Sequence, residues 1–360
     1  MTGILNTECC KYSFSTVHLF WRSEAAVTLI PPFTMPILDL PSLITSGLQS
    51  EADAFAIARL MDLADAVDRL DERASAERLM QLRTQPPPNL RFCWRLWKDA
   101  CGQLIGVGSV RVRTVAEVQE GHLLSKVHPE YRWIGLESEI LDWAEAQMLQ
   151  LGQEAQQPAS LRVDCRDIQQ QLFWFLQSRG FQASRAFNRM QRSLIEPLPE
   201  PQFPAGFTVR SLAGEADVAP WVELRNETFV NHWNFQPATA ADYQVRLAHP
   251  DYRADLDWVL LEPTGMMVGW CECAIYQERN TRSGQKDGYI QNLGIRRGFR
   301  QRGLGRALLL AGLRSLHQKG METALLDVDA ENPCGAVHLY ESVGFERSYT
   351  RFALCKMLEW

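Results

Sequence analysis

Arg300-Gln301-Arg302-Gly303-Leu304-Gly305-Arg306 constrains this chain more than any other stretch, because it lies between a strand-like run and a long amphipathic pattern. Residues Tyr289 to Ile295 read as a strand. From Leu304 to Gln318, Leu304, Leu308, Ala311 and Ser315 keep one helical spacing, Leu309, Leu313 and Leu316 widen it into a broad apolar face, and Lys319-Gly320 stops it. A strand turning sharply into a helix aims the free N–H groups of the first helical turn at one point, where the positive end of the helix favours an anion. Gly303 and Gly305 remove side chains from the approach, and Arg300, Arg302 and Arg306 can add charge-assisted bonds at the rim. A diphosphate suits such a site. The Lys-Ser/Thr ending of a nucleotide P-loop is missing, and so is the three-glycine dinucleotide spacing. Two glycines that merely make a tight turn before a surface helix are the plainer alternative; the segments downstream weigh against it.

Thr323 to Asp329 reads as a second strand, followed by a helix in Asn332-Pro333-Cys334-Gly335-Ala336-Val337-His338-Leu339-Tyr340-Glu341. Asn332 is expected to cap it, Pro333 to take its first position, and Gly344 to end it before Phe345 opens the last strand. In the order strand, Arg-x-x-Gly-x-Gly, helix, strand, Asn-Pro, helix with Leu-Tyr-Glu, Gly-Phe, the chain resembles the GCN5-related N-acetyltransferase (GNAT) superfamily. The match is specific from Tyr289 onward; upstream only the element order and Gly265 to Tyr276 agree. The resemblance implies that Arg300, Gln301, Arg302, Gly303, Leu304, Gly305 and Arg306 hold the pyrophosphate of acetyl-CoA. It places the pantetheine arm between two splayed parallel strands, with Leu293, Gly294 and Ile295 offering backbone groups, Asn332 nearby, and Tyr340 protonating the departing thiolate. It implies an α+β fold with a mixed, centrally splayed sheet flanked by helices.

Acyl transfer to an amine needs the thioester held close, a neutral amine at attack, and a proton returned to sulfur. Tyr340 is the candidate acid, and core packing with a satisfied hydroxyl is the other reading of the same residue. A strand N–H near Leu293 to Ile295 can polarise the thioester carbonyl. For a base, alternation in Trp270 to Glu278 puts Glu272, Ala274 and Tyr276 on one face, and a carboxylate within an otherwise apolar strand needs a reason to be there. Glu272 can take a proton, bind a cationic substrate, or simply occupy an exposed sheet position. Asp327 and Asp329 share a face of the next strand and are weaker candidates.

At 360 residues the chain is expected to form two globular units, and a hydrophobic content of 46% suffices for real cores. A net charge of −6, from 37 basic and 43 acidic residues, gives no bulk electrostatic case for nucleic acid or an anionic membrane. The local cluster Arg296, Arg297, Arg300 and Arg302 is better explained by the phosphates and adenosine end of a cofactor. The nine cysteines include no Cys-x-x-Cys pair, so no metal site or disulfide framework is expected. With no signal peptide in the sequence, they favour a reducing, cytoplasmic setting. No apolar run of about 20 residues marks a membrane span. Residues 1–35 read as an N-terminal extension, either an ordered arm or an overextended start.

Glu196-Pro197-Leu198-Pro199-Glu200-Pro201-Gln202-Phe203-Pro204 is a stiff connector, and the element order repeats on either side of it. A helical region over Glu51 to Leu82 and a strand pair around Arg91 to Val112 precede Ser125 to Leu136, where Arg132 lines up with Arg300 and Gly135 with Gly303. Gly180-Phe181 likewise matches Gly344-Phe345. The copy has lost chemical features: Glu137 stands at the place of Gly305, Leu176 at that of Tyr340, and Asn332-Pro333 has no counterpart. Residues 36–195 are therefore read as a degenerate GNAT-like domain, 196–205 as linker and 206–360 as the catalytic domain, a layout resembling tandem acetyltransferases of the mycothiol synthase type. The degenerate domain is expected to brace its neighbour, although with Arg132 it could still take another ligand.

In the resembling enzymes the region Glu223 to Phe235 closes over the acceptor. Asn231, His232 and Trp233 can orient a polar amine there, or pack their loop against the sheet. The expectation is transfer of an acetyl group from acetyl-CoA to a primary amine of a small molecule by direct attack, in a monomer or homodimer. A non-catalytic acyl-CoA-binding regulator and an aminoacyl or peptidyl transferase are the alternatives.

Overall fold

The computed structural model describes residues 43–68, 70, 75–87, 89–232, 235–249, 251–332 and 335–359. The expected extension 1–35 lies outside them. The chain divides into two compact units, one of the described residues up to Ala186 together with those from Arg351, the other of Phe187–Thr350.

In the first unit, β1 (Ile44–Ser46), β2 (Arg91–Lys98), β3 (Leu104–Val115), β4 (Val118–Val127) and β5 (Ala159–Arg166) are neighbours in that order. Arg351–Leu358, from the end of the chain, pairs antiparallel with β5 and completes the sheet. The helical region expected over Glu51 to Leu82 is two helices, α1 (Glu51–Asp68) and α2 (Ala76–Thr84). Ser75 separates them by accepting a hydrogen bond from Arg78 N at 3.2 Å, a new N-cap in a polar stretch with no apolar stripe to continue α1. Ile57, Leu60 and Met61 of α1 pack with Leu96, Leu104 and Val107 on one side of the unit. α3 (Leu136–Ala155) buries Leu136, Ile140, Trp143 and Met148 in a second cluster, and α4 (Gln170–Ser178) adds Phe173 and Leu176. α3 comes so close that a Cβ on Gly108 would lie 2.7 Å from the Trp143 ring.

The second unit contains β7 (Thr208–Ser211), α5 (Val218–Phe229), α6 (Ala240–Leu247), β8 (Asp257–Leu261), β9 (Met267–Ala274), α7 (Gln277–Ser283), β10 (Asp287–Ile295), α8 (Leu304–Gln318), β11 (Thr323–Asp329), α9 (Ala336–Glu341) and the start of β12 (Glu346–Leu358). Its sheet runs from the Phe187–Ser193 half of β6 (Gln182–Ser193) through β11, β10, β9 and β8 to β7. The apolar stripe of α8 is buried as its spacing requires, with Leu304, Leu308, Leu309, Leu313 and Leu316 each at most 1% exposed. α5 and α6 pack elsewhere, around Trp221, Tyr243 and Trp270. Among the described residues, one strand pair in each unit is parallel, β4 with β5 and β10 with β11, and the neighbouring pairings are antiparallel.

These units divide the chain elsewhere than at the proline-rich stretch. Phe187–Ser193, upstream of it, already pairs with β11, and Arg314 of α8 holds the stretch itself through Leu198 O at 3.2 Å and Glu200 at 2.7 Å. Each of β5 and β11 needs an antiparallel partner on its outer edge to satisfy its backbone, and hydrogen-bond geometry can draw that partner from either half of the sequence.

Candidate active site

The parallel pair of the second unit holds together only at its beginning. β10 and β11 pair at Asp287 with Thr323, Gly288 with Ala324 and Tyr289 with Leu325. Beyond, β10 continues to Ile295 against β9, and β11 to Asp329 against β6. A register shift between Ile290 and Asn292 marks where the strands part. The inner strand edges from there on carry backbone donors and acceptors without a ladder partner, and these need a ligand or water.

β10 ends in a short 3-10 turn, Arg297–Phe299, which leads into the N-terminus of α8. Gln301 and Gly303 have left-handed backbones, with φ of 61° and 77°. This reversal turns the first amides of α8 toward the strand gap, a nest of N–H groups at the positive end of a 15-residue helix. A cleft of about 540 Å³ opens over it, lined by Leu293, Gly294, Ile295, Arg300, Gln301, Gly303, Gly305 and Arg306 from the predicted cofactor set, together with Asn332 and Tyr340. Among the described residues, Arg297, Arg300 and Arg306 line the cleft and no carboxylate does. Such a lining is complementary to a polyanion.

The arginines divide their work differently from the expected rim of phosphate ligands. Arg300 Nε donates to Ile295 O at 2.9 Å and so pins the turn to the end of its strand. Arg302 lies outside the lining, donating to Gly298 O at 3.0 Å with its guanidinium 5.3 Å from the Phe299 ring centroid. Arg296 is buried; Nε donates to Met267 O at 2.7 Å, and its terminal nitrogens pair with Glu223 and Glu227 of α5. Its role is structural, a correction to the reading of that cluster as cofactor-directed. Leu304 is 1% exposed and can offer only its backbone.

Tyr340 projects from α9 into the cleft, its ring edge-on to Phe345 at 5.8 Å. Burial raises the Tyr340 phenol and the nearby Cys271 adds to this, so at neutral pH the hydroxyl keeps its proton. Asn332 lines the cleft but does not cap α9; Gly335, with φ of 70°, holds that position. The turn after β11 intervenes, with Asn332 N donating to Asp329 O at 3.0 Å. Pro333, expected at the first helical position, lies outside the described residues.

Asn231 and His232 line the same cleft. Arg297 donates to Asn231 Oδ1 at 3.2 Å, which places Asn231 beside the turn into α8, at the anion end. The His232 ring lies 5.8 Å from Phe229. Trp233, the third expected acceptor contact, lies outside the described residues.

Glu272 is half-buried and absent from that lining. The Sγ atoms of its neighbours Cys271 and Cys273 face Gly312 of α8, so Glu272 points to the other side of the sheet. There Oε1 accepts from Arg246 Nε at 3.0 Å and Oε2 from Asn292 Nδ2 at 2.6 Å. Arg246 also pairs with Asp257, among Trp221, Tyr252 and Trp270 at 5.0–5.4 Å from their ring centroids. Asp257 is fully buried and accepts from Trp270 Nε1 at 2.7 Å; burial outweighs the pull of Arg246 and pushes its carboxyl up to about 6. Local sequence does not mark this cluster, because Arg246, Asp257 and Glu272 come from three separate elements. The two weaker carboxylates are engaged as well: Arg189 grips Asp327 at 2.8 and 2.9 Å, and Asp329 accepts from Glu331 N at 2.9 Å.

Splayed parallel strands, a left-handed turn into a helix and a tyrosine beside the gap agree with what similarity to known proteins shows. The profile of the Acetyltransferase (GNAT) family matches residues 218–345. The chain carries a GNAT-family domain over these residues. It is related to the mycothiol acetyltransferases: that of Salinispora tropica is 29% identical over 302 residues, covering 82% of this chain and 90% of the relative. Among solved structures, a GCN5-related N-acetyltransferase from Sphaerobacter thermophilus superposes with a TM-score of 0.73 at 23% identity, over 89% of this chain and 98% of that one. A tandem GNAT protein from the clavulanic acid biosynthesis pathway gives a TM-score of 0.66 at 16% identity, over 88% and 99%. The fold is thus that of tandem GNAT-like domains, and the chemistry is GNAT-type, acetyl-CoA-dependent acyl transfer.

Proposed function

We propose that the second unit transfers an acetyl group from acetyl-CoA to a primary amine of a small molecule by direct attack. The observation that carries this reading is a cleft lined, among the described residues, by three arginines and no carboxylate, opening on an unpaired strand gap with a buried tyrosine beside it. The relatives named mycothiol acetyltransferase match along most of the chain, which supports a small-molecule acceptor.

Gln301 to Arg306 offer first-turn amides to a diphosphate, with Arg306 beside them. Gly305 is not demanded by packing, since a Cβ there would sit 3.6 Å from Ile295 and Leu339 in ordinary contact. Its missing side chain leaves the amides approachable. The open edge of β10 from Leu293 to Ile295 offers hydrogen bonds to an extended amide chain and an N–H to a carbonyl oxygen. Acetyl-CoA, when bound, supplies the acetyl group as a thioester. The amine nitrogen forms the new bond to the acetyl carbon as the carbon–sulfur bond breaks; the amine loses a proton, and Tyr340 delivers one to sulfur. His232 and Glu272 remain the candidates for holding the acceptor, with Glu272 also the candidate to receive the amine's proton; Asn231, held by Arg297, lies at the diphosphate end instead.

Gly305→Glu tests the core of this reading. Calorimetric titration with CoA should show affinity reduced at least about 100-fold, the cost of losing two charge-assisted hydrogen bonds. Unchanged affinity would remove the diphosphate from this turn.

A further inference from the structure

The first unit retains a cleft while losing its positive character. β4 and β5 pair in parallel from Gln119 with Ala159 to Leu123 with Val163, then part, β4 running on to Val127 and β5 to Arg166. The cleft there measures about 520 Å³. Trp133 and Gly135, with φ of 60° and 116°, repeat the left-handed turn of Gln301 and Gly303, and Arg132 Nε reaches Val127 O at 3.4 Å as Arg300 reaches Ile295.

The nest already holds an anion of the chain's own. Both carboxylate oxygens of Glu137 lie 3.0 Å from Trp133 N, which donates to them. Arg132 is spoken for by Asp68, at 2.6 and 2.9 Å, and Lys126 by Asp65 at 2.8 Å. Among the described residues, the charged ones of the lining are Asp68, Lys126, Arg132 and Glu137, and each is matched inside the unit. Ser125, Gln170 and Gln171 line the cleft as uncharged polar groups, beside the inner strand edges of Leu124–Val127 and Asp164–Arg166.

We infer that this cleft is a second binding site, for an uncharged, extended, amide-bearing small molecule, with the Glu137 carboxylate standing where a ligand's phosphate would otherwise sit. A diphosphate brought to this turn would meet a negative charge and cations already paired. An amide chain laid along the gap meets the strand edges beyond Leu123 and Val163, where the parallel ladder has ended; at the far end Val127 O is taken by Arg132 and the backbone of Arg166 by Gln169. The inference stands independently of turnover in the second unit.

Hydrogen exchange of the full chain with pantetheine or CoA tests it, residue by residue. Pantetheine should slow exchange at Leu124–Val127. CoA should leave Trp133–Glu139 unprotected at concentrations where pantetheine acts, and Glu137→Ala should raise CoA affinity there at least tenfold. Glu137→Gln, neutral and of the same size, makes the comparison if the alanine variant loosens α3. The proposal is overturned if pantetheine protects nothing in β4, if CoA protects Trp133–Glu139 equally in the unaltered chain, or if a folded Glu137 variant gains no CoA affinity. Protection at Gln301–Arg306 in the same experiment reports on the second unit separately.

Discussion

Gly305 and Glu137 occupy matching places in two similar turns, and the difference between them is one side chain and one charge. Among the described residues a Cβ at position 305 would meet only ordinary contacts, so packing there does not call for glycine, whereas the proposed diphosphate would. Tyr340 combines a buried phenol that keeps its proton with a place in the cleft wall. Tyr340→Phe should lower kcat by about 10²- to 10⁴-fold while the KM for acetyl-CoA changes little; steady-state kinetics showing an unaffected kcat would dismiss the acid role. Glu272 separates into base or anchor by a different measurement. If it takes the amine's proton, Glu272→Gln should erase the acidic limb of the pH–rate profile. If it only fixes Arg246 and Asn292, the limb should survive with a poorer KM for the acceptor.

Elements with a strong internal period were legible from sequence. Leu304 to Gln318 was bounded correctly because its apolar stripe and its Lys319-Gly320 stop are both local signals, and Thr323 to Asp329 because an apolar run of strand length lies between turns. The start of α9 was not, because Asn332 is equally suited to the turn that follows β11, and the chain uses it there. How closely α8 approaches the sheet was also invisible: a Cβ on Gly312 would lie 2.9 Å from the Sγ atoms of both Cys271 and Cys273. Gly312→Ala should therefore destabilise the protein by about 1–3 kcal/mol through overpacking. Chemical denaturation that shows no loss would mean that the helix can shift outward freely.

Across the whole molecule, the strand that ends the chain belongs to the unit that begins it. Arg351–Leu358 pairs with β5, and Phe352, Leu354 and Leu358 enter the core of the first unit. A chain ending at Thr350 keeps residues 43–186 intact yet loses three large buried apolar side chains, Phe352, Leu354 and Leu358, worth about 1.5–3 kcal/mol each, and with them one ladder of β5. Against a domain stability of about 5–15 kcal/mol this is a large loss. Hydrogen exchange at Ala159–Arg166 should rise toward that of an unfolded chain in the truncated protein, and full protection would show that the first unit closes without its last strand.

The sequence by itself determined the turn into α8, the strands on either side of it, the GNAT-type chemistry they serve, and the altered copy of that turn at Glu137. The elements and the turns follow from periodicity, glycine and charge over a few neighbouring residues, where the chain's own geometry decides; the chemistry is what the family resemblance implied. Only the tertiary structure decided that Arg296 serves α5, that Arg246, Asp257 and Glu272 form one cluster, and that the two halves each complete the other's sheet. Those outcomes depend on which distant backbone edge or buried charge meets which partner, and a buried group must be satisfied by whatever the fold brings to it.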